Sequence, residues 1–114
     1  MDELPILFPS VVLQLEKSLD NNIGLVGQIR SARVTRVSFD PDANSGYIYV
    51  HSGRDLNVIE QNIIGIKHGR TVQVPGEIWM YIDVDNFERL MGIEILDASP
   101  ELAQPLTLLS KRSP

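Results

Sequence analysis

The feature that most constrains the fold is a run of short β-type segments from residue 34 onward, each separated from the next by a short turn. Residues 34–39 and 78–83 are rich in β-branched and aromatic side chains, which favour extended strands. Asp40–Gly46 and Pro75-Gly76 are typical of turns. Parallel neighbours would need crossover connections of about a dozen residues. The spacing therefore predicts an antiparallel meander sheet of five or six strands, in which Val58–Ile66 is the sixth candidate.

Alternation within the strands separates aliphatic from aromatic side chains. Ile78, Met80 and Ile82 fall on one face of their strand, and Trp79 and Tyr81 fall on the other. A later strand adds aliphatic residues and an earlier strand adds tyrosines. Apolar residues on both faces of a small sheet are hard to bury in a monomer, which favours a homodimer. The predicted aliphatic face holds Ile78, Met80, Ile82, Met91, Ile93 and Ile95, and the predicted aromatic face holds Tyr47, Tyr49, Trp79 and Tyr81.

Two amphipathic segments are available to cover the aliphatic face. Ser99-Pro100-Glu101 predicts the start of a short C-terminal helix, which Pro105 is expected to end early. Residues 23–33 contain two helix-weakening glycines and are interpreted as a connector. The N-terminal arm carries an apolar stripe at helical spacing that must pack against the sheet or a second subunit. Its residues are Phe8, Val11, Val12, Leu15 and Leu19.

The chain is therefore predicted to be α+β and mostly β, with the N-terminal helix and the C-terminal helix on one face of the sheet. Residues 1–33 form the helical arm and connector, residues 34–104 the sheet domain and residues 105–114 a C-terminal tail. With 114 residues, the chain has the length of one domain.

The composition excludes several classes of site. There is no cysteine, so disulfides, thiolate zinc sites and cysteine nucleophiles are absent. The formal net charge of −5 disfavours general binding to nucleic acid and to anionic membranes. Acidic residues stand where a signal peptide would be basic, and no apolar run approaches the roughly 20 residues of a membrane span. We expect a cytoplasmic protein that does not bind membranes.

The segment around the last strand carries a recognisable motif. Met91–Ser99, preceded by Asp83-Val84-Asp85, resembles the closing motif of the YuzE-like family, a domain family of unknown function numbered 2283. The turn from Phe39 and the strand from Tyr47 resemble earlier parts of that family, and the whole resemblance covers about residues 34–102. It implies a small meander sheet. The family-motif residues are Asp40, Asp83, Asp85, Gly92 and Glu94.

The chain departs from the family pattern at three positions. The family usually has Asp where Asn44 stands, Leu where Gly46 stands and Gly where Glu88 stands. The last difference affects the turn geometry, because glutamate disfavours the positive φ that glycine adopts. We expect that Asn86 could take that role instead.

The sequence offers two weak metal patterns. Asp40–Gly46 resembles a calcium loop, but Ser45 precedes the glycine and His51 stands at the twelfth position. A tight turn whose side chains bond their own backbone explains this segment. His51 and His68 could bind zinc with a carboxylate if the fold brought them together. We predict no cofactor or metal and keep the two histidines as weak candidates.

Catalytic patterns are equally sparse. Asp83 and Asp85 lie together at a strand end, and paired carboxylates can act as acid and base when burial separates their pKa values. Nothing in the sequence indicates burial, so we interpret them as part of a solvated turn. Ser45 and Ser52 lack a nucleophile-elbow motif. We assign no catalytic residue and lean against an enzyme.

One dense basic cluster is present, formed by Arg30, Arg33 and Arg36. Charges of this kind on an edge strand commonly prevent incorrect pairing with other sheets. Because the whole chain is acidic, nucleic-acid binding is the least favoured of the functions considered.

The resulting hypothesis is a non-catalytic protein-interaction module that acts as a homodimer. The resemblance implies a small protein partner and an antitoxin-like role, because some family members are encoded beside small toxin-like proteins. The alternative is a small-ligand or metal-binding protein, or an enzyme, that uses His51, His68 and nearby carboxylates. The predicted partner-binding residues are Tyr47, Tyr49, Trp79, Tyr81, Leu15 and Leu19.

Overall fold

A computed structural model describes residues 2–51 and 65–112 and confirms the α+β class. The predicted strand Val58–Ile66 lies outside the described residues except for its last two. Four helices and five strands are described. The helices are α1 (Leu4–Leu7), α2 (Pro9–Ser18), α3 (Ile23–Ser31) and α4 (Pro100–Arg112), and the strands are β1 (Arg33–Asp40), β2 (Ser45–His51), β3 (His68–Val74), β4 (Trp79–Asp85) and β5 (Leu90–Leu96).

The described strands form one antiparallel sheet in the order β1-β2-β5-β4-β3. This order departs from an uninterrupted meander at one point, because β2 pairs with β5 instead of β3. The pairing sets Ile48 opposite Ile93, and β4 sets Ile82 on the other side of Ile93. All three isoleucines are fully buried. The last strand therefore occupies the centre of the sheet.

The helices build one hydrophobic core on the aliphatic face. Phe8, Val11 and Leu15 are buried together with the isoleucines of the sheet. The start of the chain also joins the sheet edge, since the backbone N–H of Leu4 donates to the carbonyl of Ala32 over 2.8 Å. The N-terminal arm thus packs on its own sheet, as one of the two predicted alternatives requires.

The segment interpreted as a connector is helical. Asn22 caps α3 by accepting a hydrogen bond from the backbone N–H of Leu25 at 3.1 Å. Leu25 and Ile29 are buried, and burial of two such side chains outweighs the cost of about 1 kcal/mol for each glycine. The connector interpretation was wrong because packing overrides intrinsic propensity.

Helix α4 also continues past the residue expected to end it. Pro105 lies inside the helix, which runs to Arg112. An internal proline costs about 3 kcal/mol, because it removes one hydrogen bond and crowds the preceding turn. The amphipathic helix offsets this cost by burying three leucines, which contribute roughly 1.5–3 kcal/mol each. These are Leu102, Leu106 and Leu109.

Helix α4 explains one departure from the family pattern. Gly46 lies on the aliphatic face opposite Ile95, where the family usually has leucine. A Cβ atom at Gly46 would lie 3.2 Å and 3.3 Å from the two methyl carbons of Leu106. The leucine of the helix therefore occupies the space that a side chain at residue 46 would need.

Candidate functional site

The face of the sheet opposite the core is lined by aromatic and polar residues, and we call it the open face. The described helices all contribute to the core on the other side. Trp79 is 52% exposed and Tyr49 is 38% exposed. The central residues of the open face are Tyr47, Tyr49, Trp79, Tyr81, Asp83, Gly92 and Glu94.

Strand register places the predicted aromatic residues on β2 and β4, the two strands that flank β5. Tyr47 of β2 and Tyr81 of β4 both stand opposite Glu94 of β5. Trp79 stands opposite Leu96. Because β5 is the central strand, Glu94 lies at the middle of the open face with a tyrosine on each side.

The aromatic residues make contacts within each strand, and one of them contacts a cation. The centroids of Tyr47 and Tyr49 are 4.6 Å apart, with the ring planes tilted by 55°. The guanidinium carbon of Arg36 lies 5.3 Å from the centroid of Tyr49, within the range of a cation–π interaction. The indole nitrogen of Trp79 lies 3.5 Å from the hydroxyl of Tyr81. The aromatic residues therefore form two contacting pairs, one on β2 and one on β4, with β5 between them.

Asp83 is the centre of a polar network that ties the open face together. The hydroxyl groups of Tyr47 and Thr71 each donate to one of its carboxylate oxygens at 2.5 Å. Nε2 of His68 lies 3.3 Å from the oxygen that accepts from Thr71 and 3.0 Å from the Thr71 hydroxyl. Side chains from β2 and β3 therefore converge on a carboxylate of β4.

Gly92 makes this network possible. Tyr47 reaches Asp83 by crossing β5, where Gly92 stands opposite both Tyr49 and Asp83. A Cβ atom at residue 92 would lie 2.3–2.5 Å from atoms of the Tyr47 ring and hydroxyl. A strand glycine often marks such a close approach. This family-motif residue thus leaves room for the tyrosine ring.

The network shifts two ionisation equilibria. Burial and the hydrogen bond to Asp83 raise the pKa of Tyr47 well above its ordinary value. Burial alone would raise the pKa of Asp83, but hydrogen bonds from Thr71 and Tyr47, with His68 nearby, outweigh that effect and lower it. Tyr47 stays protonated and Asp83 stays ionised at neutral pH.

Acid should remove the contribution of Asp83 to stability. Since its pKa is lower in the folded chain than the ordinary 3.8, the stabilisation is present above that value and is lost as pH falls through the folded pKa. We expect the difference in free energy of unfolding between the wild type and Asp83→Asn to shrink below about pH 4. Chemical denaturation across the acid range measures it, and a pH-independent difference would contradict the expectation.

The interpretation of Asp83 and Asp85 as part of a solvated turn was wrong for Asp85. Asp85 is only 3% exposed. Its carboxylate accepts from the backbone N–H groups of Phe87 and Arg89 at 2.8 Å and 2.9 Å, and from Nε of Arg89 at 3.0 Å. The same turn holds Glu88 at a φ of 61°, so glutamate itself adopts the conformation usually given to glycine. Asp85 is thus a buried organiser of the β4–β5 turn.

The two histidines are not brought together. His51 ends β2 and His68 begins β3, with β5 and β4 between them. Three strand spacings separate them by about 14 Å. Within residues 2–51 and 65–112, no group of three or more histidine, aspartate or glutamate side chains could hold a metal ion.

The remaining candidate patterns have structural roles. Asp40 accepts from the backbone N–H groups of Asp42 and Ala43 at 3.0 Å and 3.4 Å, which is the self-bonded turn that was expected. Nε of Arg30 pairs with Glu16 at 3.0 Å, whereas Arg36 stacks on Tyr49. The basic cluster is therefore divided between a helix and the open face.

The predicted partner-binding residues differ in how deeply they are buried. Leu15 is fully buried in the core, and Leu19 packs against it. Tyr49 and Trp79 are exposed. Tyr49 and Trp79 therefore lie at the surface and Tyr47 and Tyr81 are half-buried, whereas Leu15 could be exposed only by unfolding the arm.

Comparison with known proteins gives one match. A family model described as "Protein of unknown function (DUF2283)" matches residues 36–99. The match lies inside the stretch that resembled family 2283 and confirms the resemblance. No curated protein and no solved structure matched the chain. Among the described residues, no helix is long and apolar enough to cross a membrane.

Proposed function

We infer that this chain, which belongs to the DUF2283 family, is a non-catalytic protein-interaction module that binds a partner protein through its open face. The observation that carries the proposal is the presence of two aromatic pairs, Tyr47 with Tyr49 and Trp79 with Tyr81, on the sheet face opposite the core. Tyrosine and tryptophan are enriched at protein interfaces and dominate their binding energies. Single exposed apolar side chains need no explanation, but four aromatic residues grouped on one face of a small sheet do.

The polar network supports this role because it fixes the surface before a partner arrives. Tyr47 is held by Asp83, and its ring contacts Tyr49. Side chains that are already ordered lose less entropy on binding. Strands also place side chains more rigidly than loops do, which suits a preformed binding surface.

Small-ligand binding or catalysis is the competing function. The contact between His68 and Asp83 is the observation in its favour, since a histidine beside a carboxylate can transfer protons. However, Thr71 and Tyr47 also donate to that carboxylate, and this arrangement is sufficient to hold the open face in shape. A homodimer stays a prediction from the sequence, and self-association through the open face would compete with a different partner.

Affinity capture at native abundance tests the proposal. We expect one protein to be retained stoichiometrically by the wild type, and its recovery to fall at least tenfold with Trp79→Ala or Tyr81→Ala. The matched control is Phe87→Ala, because Phe87 is 52% exposed, as Trp79 is, but lies in the β4–β5 turn. Equal recovery with all three variants, or none with the wild type, would overturn the proposal.

The molar mass of the purified chain in solution shows whether the open face binds a second copy of the chain or a different protein. A dimer that Trp79→Ala converts to a monomer would show that a second copy occupies the open face. A wild-type monomer leaves the face free for a different protein. Because Trp79 is the only tryptophan, its fluorescence reports directly on burial of this surface.

A further inference from the structure

We propose that the partner presents an arginine or lysine side chain and that its cation binds at Glu94, between Tyr47 and Tyr81. This rests on the proposed function, because it names the chemistry of the segment that docks on the open face. The partner surface would therefore be basic, with a cation at its centre.

Glu94 is the carboxylate best placed for this role. It is exposed and lies on the central strand, with Tyr47 and Tyr81 directly opposite on either side. Directly opposed residues have Cβ atoms about 5 Å apart. Both tyrosines are thus close enough to contact a cation bound by the carboxylate.

The charged side chains of the open face differ in whether a described residue pairs with them. Asp83 accepts two hydroxyl donors and has His68 beside it. Arg36 lies over the ring of Tyr49. Among the described residues, no lysine, arginine or histidine pairs with Glu94. A partner's cation would supply the counter-charge that the described residues do not supply at this position.

A concave surface next to Glu94 has the same chemistry. A cleft of about 320 Å³ is lined by Glu94 and Tyr47, together with Asp40, Ser38 and Ser45. These residues supply two carboxylates, hydroxyl oxygens and an aromatic ring, and none of the described residues that line the cleft is cationic. Carboxylates and hydroxyl oxygens accept hydrogen bonds from guanidinium and ammonium groups. The two carboxylates of this lining suit the charged end of a long cationic side chain.

The aromatic residues and the overall charge favour the same occupant. Tyrosine rings attract cations positioned over their faces, and Arg36 on Tyr49 already shows this contact on the open face. The net charge of −5 would attract a basic segment and speed its association. An acidic partner would meet repulsion from Glu94 and from the chain as a whole.

A defined peptide tests the inference without the natural partner. The probe is acetyl-Gly-Arg-Gly-Arg-Gly-amide, and its citrulline analogue keeps the shape and removes the charge. Binding is followed by Trp79 fluorescence and by the backbone amide signals of Gly92 and Glu94. We expect the arginine peptide to bind the wild type and Glu94→Gln to weaken that binding at least tenfold.

Asp20→Asn is the matched control, because Asp20 is an exposed acid outside the sheet and its substitution changes the net charge equally. It should alter peptide affinity by less than twofold. Equal weakening by both variants, equal binding of the citrulline peptide, or no binding to the wild type would overturn the inference. If capture of a partner depends on Trp79 but not on Glu94, the proposed function stands and this inference fails.

Discussion

Replacing Asp85 by alanine is expected to lower the free energy of unfolding by about 3 kcal/mol. The carboxylate is buried and accepts three hydrogen bonds from Phe87 and Arg89. Alanine would leave two backbone N–H groups and a guanidinium without their acceptor. Urea unfolding at neutral pH measures the loss.

Asp85→Asn separates the shape of the turn from its charge. Asparagine keeps the oxygen that accepts both backbone N–H groups and removes the charge that pairs with Arg89. The asparagine variant should therefore lower the free energy of unfolding by about half as much as the alanine variant, since neutral hydrogen bonds are weaker than charged ones. If the alanine variant lay within 1 kcal/mol of the wild type, Asp85 would not be the organiser of the turn.

Sequence patterns predicted the parts of the fold that depend on local periodicity. Alternation in residues 78–83 placed Met80 and Ile82 on the core face and Trp79 on the other face, as the structure shows. The apolar stripe that includes Phe8 and Val11 packs in the core. These predictions succeeded because side-chain direction in a strand or helix follows directly from spacing.

Features that depend on long-range packing were not predictable in this way. Periodicity could not show that β2 pairs with β5, and hence that Glu94 lies at the centre of the sheet. The burial of Asp85 depends on a turn conformation that no pattern indicated. Pro105 was given too much weight because the burial of Leu106 is a tertiary effect.

In the candidate site, too, local periodicity predicted which residues share a face but did not predict the contacts between strands. Alternation indicated that Tyr47, Tyr49, Trp79 and Tyr81 could share a face, but the role of Thr71 was missed. Its contact with Asp83 links two strands whose register must be known first. The available signal was Gly92, because glycine inside an otherwise apolar strand often marks a close approach.

Replacing Gly92 by alanine is expected to destabilise the chain by about 2 kcal/mol, through displacement of Tyr47 from Asp83. The new Cβ atom would lie 2.3 Å from a ring carbon of Tyr47, which is far inside van der Waals contact. The ring can relieve the clash only by moving, and that movement breaks the hydrogen bond to the carboxylate. Thermal and urea unfolding measure the cost.

The same substitution should have the opposite sign when the tyrosine ring is absent. In a Tyr47→Ala background the three atoms nearest to the added Cβ are gone, so Gly92→Ala should be neutral or stabilise by up to about 1 kcal/mol, because glycine disfavours the strand conformation. The double-mutant cycle should therefore give a coupling energy of about 2–3 kcal/mol between the two positions. An equal cost in both backgrounds would mean that Gly92 serves the backbone of β5 and not the path of the Tyr47 ring across it.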